Sequence, residues 1–128
     1  MKNYSLNPKA LLSTLWIVVL FNILFRDIHE LLNPNYFVNL EQLNVSQGQL
    51  ILYALILEIP ILMVLLSRVL PLKVNQWANG IAAALMTGGM LMTMIGGDSD
   101  DIFFGAANTL VLIYTLCVAI KLPSRLGY

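Results

Sequence analysis

The sequence is poor in charge. Of its 128 residues only 11% are Asp, Glu, Lys or Arg, whereas 59% are hydrophobic and the mean hydropathy is +0.79. Soluble domains carry about a quarter charged residues, so a water-soluble fold of this chain would leave a large apolar surface in water. The composition therefore argues against an ordinary soluble domain and favours a protein embedded in a lipid bilayer.

The sequence also has only one cysteine and one histidine. A single cysteine excludes an intrachain disulfide, and a single histidine excludes haem held between two histidines. No phosphate-binding loop or nucleophile elbow is present, and a net charge of zero without a basic, aromatic-rich patch argues against nucleic acid as a partner. We predict no cofactor, and no cleaved signal peptide, because no small-residue cleavage site follows the first apolar run.

Four long apolar stretches stand out in the chain. Each is about 20 residues long, which is the length of a helix that crosses the hydrocarbon of a bilayer. Their apolar residues surround the helix rather than forming one stripe, as in lipid-facing segments, and Ser46 is the predicted N-cap of the second. We therefore predict an all-α fold, a four-transmembrane-helix antiparallel bundle in a single domain. The predicted spans are residues 11–32, 50–70, 76–97 and 102–122 of the domain 1–128.

Lysine and arginine fall almost entirely on one side of this four-span arrangement. On the opposite side, Arg26 is the only strongly basic residue. Cytoplasmic loops of membrane proteins are enriched in these residues, so we predict a multi-pass protein of the plasma (inner) membrane with both termini in the cytoplasm. The basic residues on the cytoplasmic side are Lys2, Lys9, Arg68, Lys73, Lys121 and Arg125.

Glu58 is the most informative polar residue of the apolar stretches. It lies near the middle of the second span, and a carboxyl group at that depth is costly and usually faces a partner. Pro60 is expected to bend the helix beside it. Two interpretations stay open: a structural hydrogen bond to a neighbouring helix, or a functional acid in a polar cavity. Candidate cavity residues at a similar depth in the other spans are Asn22, Thr87, Asn108 and Tyr114.

The stretch FRDIHELLNP places four ionisable residues at the outer end of the first span. The default interpretation is an interfacial collar in which Arg26 and Glu30, four residues apart, form a weak pair. Asn22, Arg26 and His29 share one helix face. In the alternative interpretation, Arg26 and His29 form the rim of a vestibule that leads down to Asn22 and Glu58. Histidine changes its charge near neutral pH, so His29 is a candidate for pH sensing or proton transfer.

Two candidate metal sites are weaker, and we predict no bound metal. A methionine stripe in the third span would suit copper(I), but methionine is an ordinary packing residue and no Cys or His shares the stripe. Three aspartates in the turn after that span could hold Ca²⁺ weakly, but the turn lacks the spaced ligands of a dedicated loop. These residues are Met86, Met90 and Met94 in the stripe, and Asp98, Asp100 and Asp101 in the turn.

Small residues recur at every fourth position of the third span, at Gly80, Ala84 and Gly88. Such stripes let membrane helices approach closely. The spacing leaves open whether this contact lies within one chain or between two. The predicted partners are therefore the lipid bilayer and either a second copy, as a homodimer, or a larger membrane protein.

Three stretches carry a family resemblance: LLSTLWIVVLFNILFRDI in the first span, EIPILMVLLSR in the second and WANGIAAALMT in the third. With the four-span layout, they resemble an uncharacterised family of small four-helix bacterial membrane proteins that is broadly DoxX-like. The resemblance implies an integral inner-membrane protein, and it brings no settled activity. It marks, without roles, the candidates Asn22, Arg26, Asp27, Glu58 and Arg68.

Three functions are compatible with these patterns. We favour a non-enzymatic membrane component that acts through helix–helix association, because it requires no catalytic set of residues. The first alternative is a small proton-coupled transporter that uses Glu58. The second is a membrane enzyme or redox subunit that acts on a quinone-like or isoprenoid-like lipid, with Glu58 as acid and base and Arg26 or His29 assisting. A bound lipid or quinone-like molecule is compatible with the last of these.

Overall fold

The computed structural model describes residues 6–122. They form an all-α structure, as predicted, with four long helices and one short helix. The four long helices correspond to the four predicted spans, and the short helix lies in the connector between the first two of them. The helices are α1 (Pro8–Glu30), α2 (Tyr36–Gln42), α3 (Gln47–Val69), α4 (Leu72–Met94) and α5 (Ser99–Ile120).

Each long helix begins three or four residues before its predicted span. Polar caps explain the difference at α1, α3 and α5, because they satisfy backbone N–H groups ahead of the first apolar residue. α4 instead begins directly after Pro71, without a side-chain cap. Asn7 Oδ1 accepts a hydrogen bond from the backbone N–H of Lys9 (3.0 Å) ahead of α1. The predicted N-cap Ser46 is confirmed: it forms a capping box with Gln49 at the start of α3.

The long helices pack antiparallel to their neighbours. α1 lies between α3 and α5, α4 packs mainly against α5, and the contact between α3 and α4 is less extensive than any of these. The main hydrophobic core lies where α1, α3, α4 and α5 meet, and a smaller one lies near the start of α1. The fully buried residues of the main core include Trp16, Val19, Leu112, Ala83 and Met86.

A buried polar cluster joins α1, α3 and α4. We call it the asparagine cluster; it consists of Ser13, Trp16, Ser67, Asn75 and Asn79, each with 0% of its surface exposed. Asn79 Oδ1 accepts hydrogen bonds from Trp16 Nε1 (2.7 Å) and from Ser67 Oγ (3.2 Å). Asn79 Nδ2 donates to the backbone oxygen and to Oδ1 of Asn75 (2.9 and 2.6 Å). One amide therefore bonds to side chains of three helices.

Further hydrogen bonds tie the same end of α1 to α3. Ser13 Oγ donates to the Val64 carbonyl (2.7 Å) and accepts from Arg68 Nε (3.0 Å). Lys9 Nζ donates to the Leu70 carbonyl (2.6 Å). At this end of the molecule, α1 and α3 are thus held together by hydrogen bonds as well as by apolar packing.

Three of the helices in residues 6–122 are long and apolar enough to cross a membrane. They are α1, α3 and α5, with mean hydropathies of 1.8, 2.5 and 2.0, and α4 is not among them. Asn75 and Asn79 both lie in α4 and lower its hydropathy, although both side chains are buried against α1 and α3. The length and composition of the helices thus support three of the four predicted crossings.

The stripe of small residues in α4 largely faces away from the other helices. Ala84 and Gly88 are exposed, and a Cβ atom added to Gly88 would meet nothing within 4 Å. α4 and α5 lie close together at Gly105 instead, where an added Cβ would lie 2.5 Å from Met94 Cγ. Helix contact through the α4 stripe between two chains stays a prediction.

Asn79→Leu tests the asparagine cluster. The substitution keeps the side-chain volume but leaves the Trp16 N–H and the Ser67 hydroxyl buried without an acceptor, so the free energy of unfolding should fall by about 3 kcal/mol. The measurement is thermal unfolding of the full chain in a mild detergent. The control is Gln76→Leu on the same helix, which removes one exposed hydrogen bond to the Ile120 carbonyl and should have little effect. Equal melting temperatures for the two variants would contradict the central role of Asn79.

Candidate functional site

An ion pair and a histidine–carboxylate contact join the end of α1 to the beginning of α5. Arg26 Nε donates to Asp101 Oδ1 at 2.8 Å, and His29 Nδ1 lies 3.1 Å from Asp100 Oδ2. The first pair is the more buried, since 24% and 15% of its side-chain surfaces are exposed, against 54% and 23% for the second. Arg26 and His29, both named from the sequence, therefore lie together with two of the three aspartates of the turn.

The predicted pair between Arg26 and Glu30 is not an ion-pair contact in the described residues, although the two charges still attract each other. In the described part of the chain the ion-pair partner of Arg26 is Asp101, which belongs to another helix. A carboxylate within hydrogen-bond distance of the guanidinium gives a directed, charge-assisted bond. A pair at positions i and i+4 on an exposed helix surface contributes only a few tenths of a kcal/mol, so the interhelical partner is favoured.

An open groove lies beside these pairs. Its volume is about 460 Å³, and it is lined by Arg26, Asp27, Glu30, Tyr36 and Asp101. The lining is mainly polar and acidic, and its one cation is already paired with Asp101. The groove is suited to water and small cations rather than to an apolar molecule, and its lining includes neither Asn22 nor Glu58.

The aspartates of the turn have protein partners. Asp101 Oδ1 bonds Arg26, and its Oδ2 accepts from the backbone N–H of Asp98 (3.3 Å). Asp100 is paired with His29. Among residues 6–122, no three His, Cys, Asp or Glu side chains are grouped so that they could hold a metal ion.

The structure does not bring the candidate cavity residues together. Glu58 and Tyr114 are exposed, Asn22 and Thr87 are half-buried, and Asn108 is buried. No residue among 6–122 forms a hydrogen bond or ion pair with Glu58. Glu58 therefore lies on an outer surface of α3, rather than in a cavity between the helices.

Asn108 is the most deeply buried of these candidates, with 1% of its surface exposed. Its Nδ2 donates a weak hydrogen bond to Met90 Sδ (3.8 Å), and its Oδ1 has no partner in the described part of the chain. The methionine stripe surrounds this position as packing: Met86 and Met90 are buried in the main core. A buried amide oxygen without a donor costs roughly 1–3 kcal/mol. Asn108 is therefore expected to lower the stability of the core.

The asparagine cluster was missed by the sequence analysis. A local signal existed: Asn75 and Asn79 are four residues apart, and therefore share a face of α4. Two amides on one face of a largely apolar helix are typical of interhelical hydrogen bonds in membranes. The other partners, Trp16 and Ser67, lie far away in the sequence, and only the tertiary structure brings them to this face.

The fold and this geometry define the class of the protein: an all-helical chain with three helices long and apolar enough to cross a membrane, and with no group of three metal-binding side chains in residues 6–122. Residues 1–124 match the model of a family of unknown function, DUF6326, and the chain belongs to that family. No curated protein and no solved structure matches the chain.

A double-mutant cycle on Arg26 and Asp101 measures the interaction energy of the ion pair that joins α1 to α5 beside the groove. We expect a coupling energy of about 1 kcal/mol between Arg26→Gln and Asp101→Asn, because the pair is partly buried and its geometry is direct. The cycle also cancels the separate loss of the cap that Asp101 provides to α5. Melting temperatures of the four proteins in detergent give the coupling. The exposed pair of His29 and Asp100 is the control and should couple less; a larger coupling there would contradict the assignment.

Asn108→Leu should stabilise the protein. Leucine has a similar volume and removes the unpartnered amide oxygen, so the free energy of unfolding should rise by about 1 kcal/mol. Thermal unfolding in detergent is the measurement. Thr115→Val is the control, since it removes a buried hydroxyl that does have an acceptor, the Val111 carbonyl, and should not stabilise. A lower melting temperature for Asn108→Leu would contradict this prediction, because it would mean that Oδ1 has a hydrogen-bond partner in the folded protein.

Proposed function

We propose that the protein is a small multi-pass inner-membrane component that acts through helix–helix association rather than through catalysis. The observation that carries the proposal is the apolar outer surface of α3, the most hydrophobic helix, in which large apolar side chains are exposed from Leu50 to Val69. Such a surface is unstable in water and is suited to lipid and to other membrane helices.

In this proposal α4 crosses the membrane as well, which makes four crossings and a transmembrane bundle. Its length of 23 residues equals that of α1 and α3, enough for about 30 Å of hydrocarbon at 1.5 Å per residue. The two asparagines that lower its hydropathy are buried and hydrogen-bonded, so they need not meet lipid. α4 also packs extensively along α5, which supports the proposal that α4 crosses the bilayer beside α5.

The orientation of the proposal follows from the basic residues. Lys9, Arg68 and Lys73 lie at the end of the molecule where Lys9 bonds the Leu70 carbonyl. Asp98, Asp100 and Asp101 lie at the other end, with Arg26. The positive-inside rule then assigns the first end and both termini to the cytoplasm. Lys2 and Arg125, which the sequence analysis also counted, lie outside the described residues.

The two alternatives receive less support. A proton-coupled transporter or a quinone-type enzyme would need Glu58 beside a cavity, whereas Glu58 is exposed and the groove is lined by other residues. The DoxX kinship also remains a prediction that rests on the layout of the spans and on the matching stretches. A lipid bound against the exposed α3 surface is compatible with the proposal.

The test is a topology assay in a bacterial host. Fusions of a cytoplasm-active and a periplasm-active reporter after Tyr128, and within the connector after Gln42, should place the C-terminus inside and the connector outside. The four-span arrangement predicts this alternation, since three spans would put the two termini on opposite sides. Resistance of the full chain to carbonate extraction is the accompanying measurement, and a chain released by carbonate would overturn the proposal.

A further inference from the structure

One stripe of α3 repeats with the spacing of a coiled-coil seam. Its residues are separated by alternating steps of four and three, and together they run along almost the whole helix. Helices that pair side by side place contact residues at such intervals. We call this stripe the α3 seam; it consists of Ile51, Leu55, Glu58, Leu62, Leu65 and Val69.

The α3 seam faces away from the rest of the chain. Its apolar members are highly exposed, whereas the buried residues of α3, Pro60, Met63 and Ser67, lie on the other side of the helix. Pro60 is on this inner side, so the backbone group that it disrupts does not interrupt the seam. The exposed fractions of the apolar seam residues are 60% for Ile51, 60% for Leu55, 50% for Leu62, 60% for Leu65 and 62% for Val69.

Glu58 is the only polar residue of the seam and lies at its centre, as the twelfth of the 23 residues of α3. None of the residues 6–122 is hydrogen-bonded to it. In a membrane this side chain would meet hydrocarbon, which is costly for an unpartnered carboxyl group. A partner therefore has to come from outside the described residues, at the depth of the middle of the membrane.

A second copy of the chain meets this requirement. Copies inserted in the same orientation carry Glu58 at the same depth, and an uncharged carboxyl group has both a donor and an acceptor. Two of them can therefore close a reciprocal pair of hydrogen bonds across a two-fold axis. A single polar residue within an apolar seam also fixes the register and the number of helices that associate.

We propose that the protein forms a homodimer in which the α3 seams of two parallel copies pack together and the two Glu58 carboxyl groups hydrogen-bond at the centre. This deepens the proposed function and rests on membrane insertion. The exposed small residues of α4, Ala84 and Gly88, are the competing surface. That surface carries no polar group that requires a partner.

Cysteine cross-linking in native membranes tests the seam. Cys117→Ser removes the native thiol, and single cysteines are then introduced into the full chain. Leu55→Cys and Leu62→Cys on the seam should give disulfide-linked dimers on oxidation. Tyr53→Cys is the matched control, because this residue is also exposed (53%) but lies two positions away, on the opposite side of the helix. It should cross-link at least about fivefold less, as should Ala84→Cys on α4.

Substitution of Glu58 tests the hydrogen bond. Glu58→Gln keeps a donor and an acceptor and should leave dimerisation in lipid vesicles, measured by energy transfer between labelled copies, within about twofold of the original. Glu58→Ala should weaken the dimer about tenfold, which corresponds to the 1–2 kcal/mol found for polar contacts between membrane helices. Tyr53→Ala serves as the control for loss of apolar surface and should have no such effect.

Several results would overturn the dimer. They are equal cross-linking at positions 53 and 55, stronger cross-linking at position 84, a monomer in vesicles, or unchanged dimerisation of Glu58→Ala. Carbonate extraction of the same membranes separates this failure from that of the proposed function. A chain that resists extraction but stays monomeric rejects the dimer alone, and a chain that carbonate releases rejects membrane insertion itself.

Discussion

The side-chain amide of Asn79 is the constraint on which the packing of this protein depends. In an apolar surrounding, its oxygen and its nitrogen must both find partners, because a buried amide left unpaired is costly. Trp16, Ser67 and Asn75 supply those partners from three helices. The relative rotation of α1, α3 and α4 is thereby fixed, since only one arrangement satisfies all of these groups at once. Apolar packing alone would tolerate several arrangements.

The two ends of the molecule differ as a result. Near the asparagine cluster, α1 and α3 are joined by the bonds of Ser13, Arg68 and Lys9. At the opposite end α1 is joined to α5 through Arg26 and Asp101, and the first half of α3, residues 47–58, is exposed throughout. α3 is therefore held by its second half, while its first half is free to contact lipid or another helix. The proposed association surface begins in this exposed first half and continues along the outer face of the second half.

Local patterns predicted the elements of this structure better than its contacts. Hydropathy located the four long helices, and Ser46 marked the start of α3, since both signals depend on neighbouring residues alone. Partners from distant segments were not predictable in this way. Arg26 has Glu30 four residues away, yet it bonds Asp101 on another helix. Glu58 has no close polar neighbour in sequence, so its exposure depended on how α3 rotates against α1, which a single helix does not reveal.

Asp101 performs two tasks with one carboxylate. One oxygen accepts the backbone N–H of Asp98 ahead of α5, and the other accepts Arg26 from α1. Asp101, the third residue of α5, thus caps the first turn of its own helix and also anchors α1. A substitution at this position therefore has to preserve two interactions at once, the cap of α5 and the ion pair with α1. Few side chains other than a short acid can form both.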